Sequence, residues 1–306
     1  MSDFHGFPTS VLENEFIRLE YLTTVGPRII GLSYQGSPNM LGDASDIFWD
    51  TPLGKYYPLG GHRLWISPEL PEKTYIPDQS GLQVQEFPDG IELMGQKEPA
   101  SGVLKKVRIE LEDHQPILRL NHTIVNENPH PLIFAPWAIT MFRQGGTVIL
   151  PQPVGNADVN GLLHNRVLVL WPYTRLSDPR LSLGDDFILL HAVPSLPPVK
   201  FGYMNMAGWL AYWLEGVLFR KTFEACVPGL TYPDAGCNAE TYCNDRFVEL
   251  ESLGPLVTLA PNAAAQLTET WELYPDLSVP FLPEKLVGLL AQKRKYWENI
   301  GLTWGE

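Results

Sequence analysis

The stretch Phe247-Val248-Glu249-Leu250-Glu251-Ser252-Leu253-Gly254-Pro255 places two carboxylates at alternate positions. Read as an extended chain, whose side chains alternate between faces, it puts Glu249 and Glu251 on one face and Val248 and Leu250 on the other. A carboxylate pair on one face needs water, a cation or a polar ligand beside it. The plainest alternative is a solvated sheet face.

Working outward, the same short-period pattern recurs. The segments 241–258, interrupted near Gly254, and 266–274 read as strands. So do 81–87, 91–95, 103–111, 117–125, 132–142, 147–150, 166–171, 187–190, 209–214 and 218–225, and strand, hairpin and strand again are read over 11–41. Their number and their Gly- and Pro-rich connections predict an all-β fold, a sandwich or closed sheet. Residues 43–58 lack regular periodicity and read as a loop. One helix is expected at 283–300, where Leu286, Leu289, Leu290 and Lys293 recur at helical spacing. No linker-like segment or short repeat divides the chain, so 1–306 is expected to form one domain.

The chain has 306 residues, with 22 Lys plus Arg against 35 Asp plus Glu, a formal charge of -13. That balance disfavours nonspecific attraction to nucleic acid or anionic membranes. Three cysteines, Cys226, Cys237 and Cys243, form no paired CxxC pattern. A reducing compartment is the simplest reading. The start MSDFHGFPTS shows no signal core, and no apolar run approaches the roughly 18 residues of a membrane span. A cytoplasmic location is expected.

The second polar and aromatic concentration is Gly60-Gly61-His62-Arg63-Leu64-Trp65-Ile66-Ser67-Pro68-Glu69. Arg63 can donate several hydrogen bonds to sugar hydroxyls, and His62 can exchange a proton near neutral pH. In an extended motif Arg63 and Trp65 share a face that excludes His62, with Trp65 as an apolar platform for a sugar ring. Alternatively Arg63 pairs with Glu69 to hold a loop and Trp65 fills the core. His122 is a second candidate proton carrier, but its strand face also carries Leu118, Leu120 and Ile124, which suits a packed histidine equally well.

A third region, 232–245, would put Asn238, Glu240, Tyr242 and Asn244 on one strand face, offering donors, acceptors and a ring to a hydroxyl-rich ligand. Asp234, Asn238 and Glu240 carry oxygen ligands, yet the regular calcium-loop pattern is absent and no metal site is expected. Thr268, Thr270 and Glu272 are expected to extend the polar surface. There is no phosphate-cradling loop, serine nucleophile elbow or HExxH helix. Most of the nine tryptophans read as structural.

Over most of its length the chain resembles the galactose mutarotase-like, or aldose 1-epimerase-like, superfamily. The resemblance lies in strand order and rests on 16–41, the Arg63 segment, 121–142 and 247–274. It implies a large antiparallel β supersandwich with a concave carbohydrate site, no dissociable cofactor, and a monosaccharide or related carbohydrate as partner. It also implies anomer exchange by a glutamate base and a histidine acid with an early arginine. Glu251 matches the glutamate, with Glu249 as the fallback register, and Arg63 matches the arginine approximately. Trp137 stands where the histidine is expected, and indole cannot replace imidazole in proton transfer. His122, or else His62, is then the substitute acid. Two other readings stay open. Glu249, Glu251, Glu240 and Asp234 could supply the paired acids of a glycoside-cleaving enzyme, or the protein could bind sugar, or serve structurally, without catalysis.

Overall fold

The computed structural model describes residues 3–78 and 81–277, and the helix expected at 283–300 lies outside them. Alternating segments pair into two large sheets, one of eleven strands and one of ten, with every pairing antiparallel. The centre of the first sheet runs, in spatial order, through the strands Ile29–Tyr34, His62–Ser67, Leu132–Arg143, Phe247–Leu253, Ala239–Cys243 and Val199–Tyr203. The centre of the second runs through Val103–Leu111, Ile117–Asn126, Ala264–Tyr274, Val217–Phe223 and Trp209–Leu214. Both sheets contribute to one apolar core, in which Leu64, Phe142 and Leu250 of the first are buried together with Leu120, Phe219 and Trp271 of the second. This is the antiparallel supersandwich architecture, as expected.

Period-two burial accounts for individual strands. Along Ile117–Asn126 the buried positions include Leu118, Leu120, His122, Ile124 and Asn126, with half-buried residues between them. Phe247–Leu253 differs, since all seven of its residues are buried. Glu249 and Glu251 therefore do not stand on an open, solvated sheet face, since Glu249 is only 6% exposed and Glu251 fully buried. The segment 241–258 resolves into three strands, Ala239–Cys243, Phe247–Leu253 and Val257–Leu259.

The expected loop at 43–58 instead contains the short strands Asp43–Ala44, Trp49–Thr51 and Gly54–Tyr56. They are too brief to show periodicity, and ring stacking of Trp49 on Tyr56 at 5.6 Å holds the small hairpin. Before His62–Ser67 the chain turns on Gly61, at φ 62°. A Cβ there would stand 1.9 Å from the Ile29 carbonyl oxygen, so only glycine lets this strand start so close to its neighbour.

Candidate functional site

The carboxylate strand takes its place by register. Glu251 lies opposite Ile139 on one side and Glu240 on the other, and Ile139 lies opposite Arg63. One step along, Glu249 lies between Met141 and Tyr242, and Tyr242 lies opposite Lys200. Directly opposed residues of antiparallel strands point to the same face. Arg63, Glu249, Glu251, Glu240, Tyr242 and Lys200 therefore converge on the outer face of the first sheet.

A cleft of about 550 Å³ opens over this face. Arg63, Lys200 and Glu249 line it together with Glu69 and Asn244, and its walls are largely aromatic, including Trp49, Trp65, Trp137, Trp171, Tyr75, Tyr173 and Tyr242. Arg63 Nη2 donates to Glu249 Oε1 at 2.9 Å, and the guanidinium lies 4.2 Å from the centre of the Trp65 ring. The alternative Arg63–Glu69 pairing does not form. Glu69 instead accepts from the Tyr75 hydroxyl.

Lys200 organises the layer beneath. Its Nζ lies 3.2 Å from Glu251 Oε2 and 3.0 Å from Glu240 Oε2, and 4.7 Å from the ring centres of both Trp137 and Trp171. The contact to Glu251 is a directed hydrogen bond. The one to Glu240 is close in distance without hydrogen-bond geometry, since both Glu240 oxygens lack a hydrogen-bond partner among the described residues. Trp137 Nε1 donates to Glu251 Oε2 at 2.9 Å. Glu251 is thus held fully buried under the floor, and Glu249 is the strand's carboxylate on the cleft surface.

Burial works against the Lys200 ammonium, but Glu251 and Glu240 outweigh it and hold its pKa well above the ordinary lysine value. Lys200 is therefore a fixed cation, not a free amine nucleophile. Burial pushes the Glu249 carboxyl up, a push that Arg63 opposes and Glu251 reinforces. The same factors drive Glu240 well above the carboxylate range, with burial first, Lys200 opposing and Glu251 adding. Arg63 Nε and Nη1 and Glu251 Oε1 are also buried without a hydrogen-bond partner among the described residues.

The two histidines go elsewhere. His62 and His122 face the space between the sheets, where their Nε2 atoms are 2.7 Å apart. His122 Nδ1 lies 2.8 Å from the Leu267 carbonyl oxygen and must donate to it, which leaves its Nε2 as acceptor for His62 Nε2–H. His62 Nδ1 then accepts from Thr140 Oγ1 at 3.0 Å. Beside them Lys221 Nζ meets Glu269 Oε1 at 3.0 Å and the Leu250 carbonyl at 2.9 Å, while Glu269 also accepts from Ser252 and from Trp271 Nε1. His62, His122 and Glu269 bring one ligand atom each within 4.8 Å, the only such metal-capable grouping among the described residues. Each of those atoms already has a protein partner, so the grouping is complete without an ion.

Of the residues singled out in the sequence, Arg63, Trp65, Trp137, Tyr242 and Glu249 line the cleft, and Glu251 and Glu240 lie just beneath it. His62 and His122 do not reach it, because strand alternation turns His62 away from Arg63 and His122 belongs to the second sheet's inner face. Asn238 is fully buried and spent on the backbone of Asn205, and Asp234 sits in a turn where its Oδ2 accepts from Ser67 at 3.3 Å. Thr268 and Thr270 line a different hollow of about 540 Å³ on the second sheet, and Glu272 pairs with Arg220 at 3.2 Å. They extend no surface of the cleft, since their strand belongs to the other sheet.

Lys200 was not legible as a site residue, although a lone lysine inside the apolar run Val199–Tyr203 is a usable signal. Trp49 and Tyr75 carry no local signal, because only the packing of the 43–58 segment and of the short helix Pro71–Thr74 brings them to the cleft.

No family model matches the sequence, and no curated protein matches it. Solved structures do. A protein from Synechocystis sp. PCC 6803 is 15% identical at TM-score 0.54, with 88% of this chain and 96% of that chain covered. A galactose mutarotase-like protein from Lactobacillus casei is 13% identical at TM-score 0.54, with 87% and 100% covered. A TPR-domain containing protein from Parabacteroides distasonis is 15% identical at TM-score 0.59, with 90% of this chain covering 49% of that one. No helix among the described residues is long and apolar enough to cross a membrane. At these identities the likeness concerns architecture, and the chain carries the fold of the galactose mutarotase-like superfamily.

Proposed function

We propose that the cleft binds a monosaccharide or related carbohydrate. The observation that carries this reading is the Arg63–Glu249 pair at the floor of an aromatic-walled cleft. Guanidinium and carboxylate suit the mixed donor and acceptor character of sugar hydroxyls. Indole faces suit the apolar C–H face of a pyranose ring.

Binding is favoured over the anomer exchange expected of Glu251 and His122. Glu251 is already bonded to Lys200 and Trp137. Both imidazoles are bonded to one another on the far side of the sheet. A paired-acid glycosidase is disfavoured for a similar reason, since Glu251 and Glu240 share one buried lysine beneath the floor.

Titration calorimetry of the chain against a panel of monosaccharides is expected to give saturable one-site binding, and NMR is expected to show anomer exchange at the uncatalysed rate. Absence of saturable binding to any mono- or oligosaccharide overturns the reading. One observation favours an enzymatic second reading: Glu249 is the carboxylate of its strand that lines the cleft, and burial pushes its pKa up. Accelerated anomer exchange that Glu249→Gln abolishes would establish it.

A further inference from the structure

We propose that the cleft takes two linked sugar rings, those of a disaccharide or longer glycan, with one ring against Trp49 and the next against Tyr173 and Tyr242. The proposal rests on the carbohydrate reading of the cleft and narrows it to one substrate class.

Ring contacts divide the cleft walls into two groups. One run passes from Trp49 to Tyr75 at 5.2 Å, from Tyr75 to Trp65 at 5.4 Å and from Trp65 to Trp137 at 5.3 Å. A second joins Tyr173 to Tyr242 at 6.5 Å and Tyr242 to Phe247 at 5.9 Å. Among the described residues no ring of the first run touches a ring of the second. The sheet sets them apart, since Trp65 lies on His62–Ser67 and Tyr242 on Ala239–Cys243, three strand spacings or about 14 Å away. Ile139, Met141 and Glu249, on the two strands between, line the floor.

Each group keeps aromatic surface open. Trp49 lies nearly parallel to both Tyr56 and Tyr75, at 14° and 18°, and those two ring centres are only 5.9 Å apart. Both tyrosines therefore back the same side of the indole, which is 38% exposed and has its other face free for the C–H face of a pyranose. In the second group Tyr173 stands edge-on to Tyr242 and is 37% exposed. Each group also has a polar companion, Glu69 bonded to Tyr75 and Asn244 bonded to Tyr242.

Size points the same way. A cleft of about 550 Å³ falls in the range that suits ligands of drug size, and a single hexose is smaller than those. A lone pyranose stacks on one group and leaves the apolar surface of the other in water. Two or three linked rings cover both.

The test titrates the full chain by calorimetry with glucose and galactose, with maltose, cellobiose and lactose, and with maltotriose and cellotriose. At least one linked sugar is expected to bind about tenfold more tightly than its component monosaccharides, the effect of one added aromatic contact. Trp49→Ala and Tyr173→Ala are each expected to remove most of that advantage, while at most one of them weakens a monosaccharide. If Trp49→Ala opens the small hairpin, as circular dichroism and thermal unfolding would reveal, Tyr173→Ala decides alone, and an unchanged advantage in it overturns the proposal. Monosaccharides that bind as tightly as every linked sugar overturn it too. So does a monosaccharide weakened by both variants, because the two walls then clasp a single ring. These results leave the carbohydrate reading standing, whereas if no sugar of any class binds, both fall together.

Discussion

Two polar clusters lie on opposite sides of the same three strands, and they are finished to different degrees. Between the sheets, Thr140, His62 and His122 form one run of hydrogen bonds and Lys221, Glu269, Ser252 and Trp271 a second beside it, and none of their buried polar atoms is left without a partner. On the outer face, Arg63, Glu249, Glu251, Glu240 and Lys200 leave buried nitrogen and oxygen atoms unpartnered within the protein. An unmet buried polar group costs about 1–3 kcal/mol, so the outer cluster is held at a cost that the interior one avoids. Residue type does not separate the clusters, since both contain lysine and glutamate. The interior cluster ties the sheets together, and the outer one faces the cleft.

The largest effect should come from breaking the interior set. Lys221→Met leaves Glu269 as a buried charge without its cation, and a loss of about 3–5 kcal/mol is expected in denaturant unfolding. A loss below about 1 kcal/mol would mean that this cluster does not hold the sheets together.

Acidification probes the same region without mutation. Burial, then the neighbouring imidazole, holds His62 well below its ordinary pKa of 6.5, and burial lowers His122 as well. As pH falls below 6.5 the unfolded chain takes up protons that the folded chain refuses, so stability falls with pH. The slope is up to about 1.4 kcal/mol per pH unit for each imidazole. Burial alone would raise Glu269, but Lys221 and then the imidazoles outweigh it and hold it at about 2. Its contribution is complete above the ordinary value of 4.5 and is lost between 4.5 and about 2. Glu249 and Glu240 titrate in the opposite sense. Their raised folded pKa values make their contribution decline as pH rises from 4.5 through the folded values. Unfolding midpoints measured from pH 4 to 8 in wild type and Glu249→Gln should separate the two regions. Only the acid-side fall should survive unchanged in the variant.

Trp137→Phe removes the indole donor from Glu251 and should cost about 1–2 kcal/mol, with sugar affinity reduced as well. Unchanged stability and binding would show that Trp137 is passive wall. The smallest stability effect is expected for Glu249→Gln, under about 1 kcal/mol, because the amide keeps an acceptor for Arg63 and relieves a raised carboxylate. Its sugar affinity should nevertheless fall about tenfold in calorimetry, equivalent to about 1.4 kcal/mol. A variant that binds as wild type would remove Glu249 from the site.

Local alternation sufficed for the fold class and for the side on which much of the site lies. Period-two reading put Arg63 with Trp65, Glu249 with Glu251, and Glu240 with Tyr242 on shared faces, and pairing brings those faces together. The face of a residue on its own strand is fixed by the stereochemistry of an extended chain, and needs no long-range information. What that face meets is another matter.

The amino-acid sequence by itself determined an all-β chain with its acidic, arginine-bearing and aromatic segments on strands. Only the tertiary structure decided that Glu249 reaches the cleft while Glu251 is tied beneath it, that Lys200 joins the site from a strand about fifty residues away in sequence, and that the histidines bond to each other behind it. Depth and partnership depend on strand order and sheet packing. These bring together residues as far apart as Arg63 and Glu249, whose local sequences carry no record of one another.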